Sequence, residues 1–187
     1  MTYLYRILLK LHTLYEDLIK KSTLKLALKR GLKVGKNIYI QGIPNFGSEP
    51  YLIEIGDHVT IAQDVTFINH GGEARVTKRI EKYKDERYFG RIKIGNNTFI
   101  GKGTIILPAV SIGNNSIIGS MSVVNCSIPD NSVYAGNPAK FICTIDDYGE
   151  KLMKNNVIYP REIEQNRKQL DEFLIKNLPH TYKPVKK

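Results

Sequence analysis

Aliphatic residues in the second half of the chain recur at every sixth position: Ile94, Ile100, Ile106, Ile112, Ile118 and Val124. The residue after the aliphatic is glycine at Gly95, Gly101, Gly113 and Gly119, and the fifth position of the hexads holds Thr98, Thr104, Val110, Ser116 and Ser122. The same phase holds upstream at Val34 and Ile40, then at Ile55, Ile61 and Phe67, with Val59 and Val65 at fifth positions. A period of six fits neither a helix nor a simple strand. It fits a short strand plus a turn, with three such hexads closing a triangular coil of about eighteen residues. The leading aliphatics then point inward, and small residues at the second and fifth positions are expected at the corners, where glycine relieves backbone strain. One coil cannot bury its own inner face, so coils stack, and a parallel ladder between them satisfies the backbone donors and acceptors. The pattern predicts a mainly β parallel solenoid.

The rhythm fails in two places. After Phe67 an aliphatic is due at position 73, yet the next residue in phase is Ile94. Residues 73–93, EARVTKRIEKYKDERYFGRIK, are therefore expected to leave the solenoid as a charged loop, and loops of this length in compact domains are usually functional. A shorter break, FGSEPYLIE, spans residues 46–54. The two breaks flank the coil that ends in His70. A rigid rung fixes an imidazole while an adjoining flap can exclude water, and an imidazole can accept a proton near neutral pH. His70 is therefore the candidate general base. His58 is the fourth residue of its hexad and belongs to a different face of the triangle, so it is expected as an exposed face residue. His12 and His180 have no pattern that supports catalysis.

The formal net charge of +10 first suggests nucleic acid or an anionic surface. Its placement argues otherwise for nucleic acid: residues 1–36 hold nine basic and two acidic side chains, residues 151–187 nine and four, and residues 37–150 ten and twelve. Leu4, Ile7, Leu8, Leu11, Leu14, Tyr15 and Leu18 follow helical spacing, with Arg6, Lys10, Lys20 and Lys21 for an outer face. Such a helix is expected to cap the open end of the solenoid; the alternative is a helix resting on an anionic membrane. Residues 161–177 also read as a helix and 178–187 as a frayed tail. The expected organisation is an N-terminal helical segment (1–31), the solenoid (32–145) and a C-terminal helical extension (146–187). No run of about eighteen apolar residues appears, so a cytoplasmic protein is expected, with Cys126 and Cys143 as free thiols.

The stretch IGNNTFIGKGTIILPAVSIGNNSIIGSMSVVNCSIPDNSVYAGNPAKFI resembles the hexapeptide-repeat acyltransferases, over roughly residues 34–145. FGSEPYLIEIGDHVTIAQDVTFINH is most similar to the sugar O-acetyltransferases of that family, including those of surface polysaccharides; maltose, galactoside and antibiotic acetyltransferases are more distant. The resemblance implies a left-handed β-helix, a handedness the period alone does not give. It implies a homotrimer with active sites between subunits, a general base at the position of His70, and acetyl-CoA as co-substrate without a metal. On the donor side it points to backbone N–H groups of Lys102 and Ser120, to Lys140 for the phosphates, and to Asn125. There are departures: Asn125-Cys126 stand where relatives often have Thr-Lys, and Cys143 where a second basic residue is common. Glu49 is implied as an acceptor contact, with Asn69 and Glu73 either contacting the acceptor or orienting the imidazole. The implied reaction is O-acetylation of a sugar by direct attack, without an acyl-enzyme; the basic N-terminal helix offers a peripheral contact at the inner face of the membrane. Alternatives are N-acetylation of an amino sugar or small amine, a zinc hydratase on the same solenoid, and a non-catalytic scaffold.

Overall fold

The computed structural model describes residues 2–155 and 158–178. In chain order the elements are helix α1 (Thr2–Lys29), strands β1 (Lys33–Val34), β2 (Tyr39–Ile40), β3 (Ile53–Ile55), β4 (Thr60–Ile61) and β5 (Thr66–Phe67), and the short helix α2 (Ala74–Thr77). There follow β6 (Ile92–Ile94), β7 (Phe99–Ile100), β8 (Ile105–Ile106), β9 (Ser111–Ile112), β10 (Ile117–Ile118), β11 (Val123–Val124), β12 (Ser132–Ala135), β13 (Lys140–Thr144), α3 (Ile145–Asn155) and α4 (Arg167–Asn177). The chain divides between Ile145 and Asp146 into two compact units.

The first unit is built on three parallel sheets, ordered β1-β3-β6-β9, β2-β4-β7-β10-β12 and β5-β8-β11, with β13 antiparallel to β12. From β6 to β11 successive strands visit the three sheets in rotation, so three hexads make one coil. Ile94 lies opposite Ile112, Ile100 opposite Ile118 and Ile106 opposite Val124, the eighteen-residue offset that the repeat predicts. The leading aliphatics from Ile55 through Val124, Phe67 included, are each no more than 2% exposed. Burial at this level contributes roughly 1.5–3 kcal/mol for each large aliphatic side chain.

Corner geometry differs from the expectation. The fifth-position residues point inward: Thr98, Thr104, Ser116 and Ser122 are buried. Their hydroxyls donate to carbonyls, Thr98 to Gly113 at 2.9 Å, Thr104 to Gly119 at 3.2 Å and Ser116 to Pro129 at 3.1 Å, so small polar side chains enter the core fully bonded. The turning residue is the fourth, in the left-handed region at Asn97 (φ 52), Gly103 (φ 68), Ala109 (φ 62), Asn115 (φ 51) and Met121 (φ 58). Asparagine tolerates that region better than most residues. Asn97, Asn115 and Asn131 also stack across coils, each amide donating to the next side-chain oxygen at 2.9 Å. His58 (φ 57) is thus an exposed corner residue and not a face residue. Second-position glycines serve close approach: a Cβ on Gly101 would lie 2.5 Å from the Ser120 nitrogen.

Helix α1 ends at Gly31 (φ 93), with the N–H of Leu32 bonded to the Ala27 carbonyl and that of Gly31 to Leu28, a Schellman arrangement. Ala27 and Leu32 are buried and Leu24 packs against the core, so this last turn covers the start of the solenoid. The stripe expected to do so lies elsewhere: Leu4, Ile7, Leu8, Leu11, Leu14, Tyr15 and Leu18 are all exposed. The opposite face of α1 explains this, because Thr13, Asp17 and Lys20 line a cavity with Gln41, Gln63 and Lys102 of the solenoid.

In the second unit, α4 begins at Asn166, whose side chain accepts from the Gln169 N–H at 3.3 Å, a standard N-cap. The segment expected to be helical from residue 161 opens with a 3-10 turn at Arg161–Ile163 before α4. Helix α3 precedes it. The expected tail lies outside the described residues beyond Leu178, and so does His180. Among the described residues, no helix is long and apolar enough to cross a membrane. Cys126 and Cys143 are free.

Candidate active site

Across the shorter break the coil offset is twenty-one, as in Val34 opposite Ile55 and Ile40 opposite Ile61. Three extra residues therefore sit in the loop that ends at Pro50–Leu52, a 3-10 turn with Pro50 buried. Across the longer break Ile55 lies opposite Ile94, an offset of thirty-nine. The excursion leaves and returns through a narrow neck. The Gly71 N–H donates to Tyr88 O at 2.9 Å, the Gly90 N–H donates to Asn69 O at 3.0 Å, and His70 and Phe89 form an antiparallel bridge. Ile92 and Lys93 already belong to β6, so the excursion ends sooner than the repeat suggested.

His70 is held at this neck. Its Nδ1 lies 2.7 Å from a Glu49 carboxylate oxygen, and the Ser48 hydroxyl is at 3.4 Å. Glu49 is the less exposed partner, with 17% of its side chain accessible against 43% for His70. A carboxylate only accepts, so the bond fixes the proton on Nδ1 and leaves the Nε2 lone pair free to act as a base. Nε2 takes no hydrogen bond among the described residues. Glu49 is expected to touch an acceptor; in the structure one of its carboxylate oxygens is engaged by the imidazole. Its residue number is twenty-one below that of His70, so the coil offset itself stacks the two.

Asn69 is 1% exposed and cannot offer its side chain to an acceptor. Its Nδ2 donates to the Phe46 and Glu49 carbonyls at 3.0 and 2.9 Å, tying the shorter break to the His70 rung. Gly47 (φ 66) passes so close that a Cβ would come within 2.7 Å of the Asn69 Oδ1. Glu73 is exposed at the start of α2, with its carboxylate folded back over Gly71.

On the donor side, the Lys102 ammonium donates to Gln63 Oε1 at 3.0 Å and lies 3.7 Å from Asp64. The N–H groups flanking Lys102 and Ser120 are engaged: Gly101 with Ile118, Gly103 with Gln63, Gly119 with Tyr134 and Met121 with Lys102. Those of Lys102 and Ser120 have no partner among the described residues. They sit on adjacent coils as unused donors, which suits a developing oxyanion. Asn125 is exposed just beyond β11, and Lys140 is exposed at the start of β13, opposite Ala135. Among the described residues, neither has a hydrogen bond or ion pair to the side chain of His70 or Lys102. Among the described residues no group of three His, Cys, Asp or Glu side chains is placed to hold a metal.

A stack of three-strand coils with a carboxylate-bound histidine at its one long interruption defines a class before it defines a member. A family profile described as "Bacterial transferase hexapeptide (six repeats)" matches residues 91–133. Protein CapG of Staphylococcus aureus is 44% identical over 144 residues, covering 76% of this chain and 82% of that protein. Galactoside O-acetyltransferase of Escherichia coli is 40% identical over 119 residues, 62% of this chain and 55% of that one. The crystal structure of a maltose O-acetyltransferase from Clostridium difficile 630 superposes with a TM-score of 0.51 at 35% identity, covering 59% of this chain and 57% of that one. The chain thus spans little more than half the length of the last two. It belongs to the hexapeptide-repeat acyltransferase family, and it is an acyltransferase.

Proposed function

We propose that this chain is an acetyl-CoA-dependent O-acetyltransferase that acts on a sugar hydroxyl in surface polysaccharide biosynthesis. The observation that carries the proposal is the 2.7 Å contact between Glu49 and His70 Nδ1 at the neck of the excursion. The similarity to a galactoside and a maltose O-acetyltransferase supports a sugar as acceptor.

Acetyl-CoA supplies an activated thioester carbonyl. His70 Nε2 takes the proton of the acceptor hydroxyl as its oxygen attacks that carbonyl, and Glu49 stabilises the imidazolium that forms. Of the unengaged N–H groups of Lys102 and Ser120, one fits the negative charge that builds on the carbonyl oxygen and the other the pantetheine arm of the coenzyme. As the carbon–sulfur bond breaks, the imidazolium returns the proton to the departing thiolate, so no acyl-enzyme is needed. Lys140 and Asn125 serve the coenzyme, and the lysine pairs with phosphate.

The same reading takes the coils as left-handed and the enzyme as a cytoplasmic homotrimer with its sites between subunits. It rests the outward apolar face of α1 on the inner face of the membrane, where the exposed Lys21 and Lys25, seven residues beyond Leu14 and Leu18, meet anionic lipid. Mass spectrometry of products from acetyl-CoA and a panel of mono- and oligosaccharides tests the activity: an acetyl ester on a sugar is expected. Acetylation of amino sugars alone, at nitrogen, would replace the proposal with the N-acetyl variant.

A further inference from the structure

The excursion concentrates the positive charge of the central region. Between Lys36 and Arg75 there is no basic residue, and of the ten Lys and Arg in residues 37–150, eight lie in residues 73–93. The other two are Lys102 and Lys140. The fold brings part of this charge to the catalytic histidine. A cavity of about 390 Å³ opens beside His70, lined by Arg75, Lys78, Arg87, Tyr88 and Phe89 together with the glycines of the neck. Its volume falls in the range of small-molecule sites.

No acidic side chain lines this cavity. Glu81 pairs with Lys84 at 2.7 Å, and Glu81, Asp85 and Glu86 are not among the lining residues, while the Glu73 carboxylate folds over Gly71 at the neck. Arg75 and Lys78 are three residues apart at α2, so they share one side of that turn, and neither has an acidic partner among the described residues. Arg87 donates to the Glu86 and Lys84 carbonyls at 2.7 and 3.5 Å, which fixes its guanidinium without neutralising it. Phe89 adds an exposed ring 6.0 Å from the imidazole. Three uncompensated cations and two aromatics beside the base make a poor site for a neutral polyol alone. They make a good one for a sugar ring with an anionic substituent next to it.

We infer that the acceptor is an anionic sugar: one that carries a phosphate or diphosphate, held by Arg75, Lys78 and Arg87 while its hydroxyl meets His70 Nε2. This inference rests on the O-acetyltransferase reading and narrows its substrate. The diphosphate could belong to a nucleotide sugar or to a lipid carrier, and the two share the chemistry that the cavity recognises.

The test compares acetylation rates of the full chain with glucose, galactose and N-acetylglucosamine, their 1-phosphates, their UDP derivatives and their diphosphate-linked short polyprenols. At least about a tenfold higher kcat/KM is expected for the phosphorylated form of the preferred sugar, shrinking as salt rises. UDP and polyprenol arms separate the two sources. In Arg75→Gln/Lys78→Gln the KM for the phosphorylated acceptor should rise about tenfold or more, while the KM for acetyl-CoA stays the same. Lys82→Gln, which lies on the excursion but not on the cavity, should retain the preference. If a neutral sugar is acetylated as well as its phosphorylated form, the inference is wrong and the O-acetyltransferase reading stands. If the double variant raises the KM for acetyl-CoA instead, the cavity serves the coenzyme and the inference is again wrong. If no sugar of either kind is acetylated, both readings fall.

Discussion

The coils from Ile94 to Ile128 and the coil from Asn45 to Ile94 use the same inward aliphatics, but they divide the work. In the first region β6, β7 and β8 meet β9, β10 and β11 at an eighteen-residue offset, and the side chains between include corner asparagines and buried hydroxyls bonded to carbonyls. In the second the offsets are twenty-one and thirty-nine, and the extra residues carry Glu49, the neck at His70 and the basic excursion. Regular coils leave no buried side chain free for chemistry, because the hydroxyls inside are already bonded, and what they still offer is backbone N–H groups such as those of Lys102 and Ser120. Inserted residues offer side chains, held in place because they are anchored at both ends to coils that cannot shift.

That division predicts opposite effects from substitutions on either side of it. His70→Ala should lower kcat by roughly two to four orders of magnitude, the span of one general base, with the melting temperature nearly unchanged. Thiol release from acetyl-CoA and a melting curve, measured on one preparation, check both halves. Turnover near the wild-type level with the fold intact would remove His70 from the reaction. Ile106→Ala reverses the pattern. Ile106 is fully buried between Phe67 and Val124, so the variant should lose about 2–5 kcal/mol of stability while the rate per folded molecule changes little. Denaturant unfolding gives the first quantity. A loss under about 1 kcal/mol would mean that the coils collapse around the cavity.

The sequence carried the first region almost entirely. Six-residue spacing named the inward residues, and the stacking of Ile94 on Ile112 follows from it. What it misplaced was the corner: glycine at the second position suggested a strained turn there, whereas it marks close approach of the next coil, and the turn is made by Asn97 or Asn115 one step before a buried hydroxyl, or by Ala109 one step before the buried Val110. In the second region spacing located both breaks and His70. The partner of His70 was also within reach, because Ile40 and Ile61 set an offset of twenty-one that puts Glu49 under His70. Burial was not within reach: nothing in the letters separates the sealed Asn69 from the open Glu73. The lining of the cavity by Arg75, Lys78 and Arg87 depends on how the excursion folds, which has no period to read. The stripe of α1 was legible as a helix, but not the direction it faces, because Ala27 and Leu32, and not the stripe, make the packing contact.

Glu49→Gln sharpens the comparison within the site. Glutamine keeps the size and can accept from Nδ1, but it can also donate to it, so the tautomer with a free Nε2 is no longer enforced and the imidazolium loses its counter-charge. We expect kcat to fall about 10- to 100-fold, less than for His70→Ala, with the KM for acetyl-CoA unchanged. Combining the two substitutions should cost no more than His70→Ala alone, since Glu49 acts through the imidazole. A further loss in the double variant would return Glu49 to direct contact with the acceptor.

The smallest effect is expected at the far end of the regular region. Asp130 accepts from the Asn114 side chain at 3.1 Å and from the Asn114 N–H at 2.7 Å, and these bonds hold its carboxyl below the ordinary carboxylate range. A depressed folded-state pKa stabilises the folded protein above the unfolded value, near about 3.9, and that contribution disappears as pH falls through the lower folded value. Wild type and Asp130→Asn should therefore differ in melting temperature at pH 6 by a small amount that shrinks steadily below about pH 4, because a protonated Asp130 and an asparagine offer Asn114 the same single carbonyl. Asp130 is fully exposed, so salt should also reduce the charge-dependent part of the difference. A difference that stayed constant down to acid pH would assign the role of Asp130 to shape in the ladder under Asn114, leaving its charge without effect.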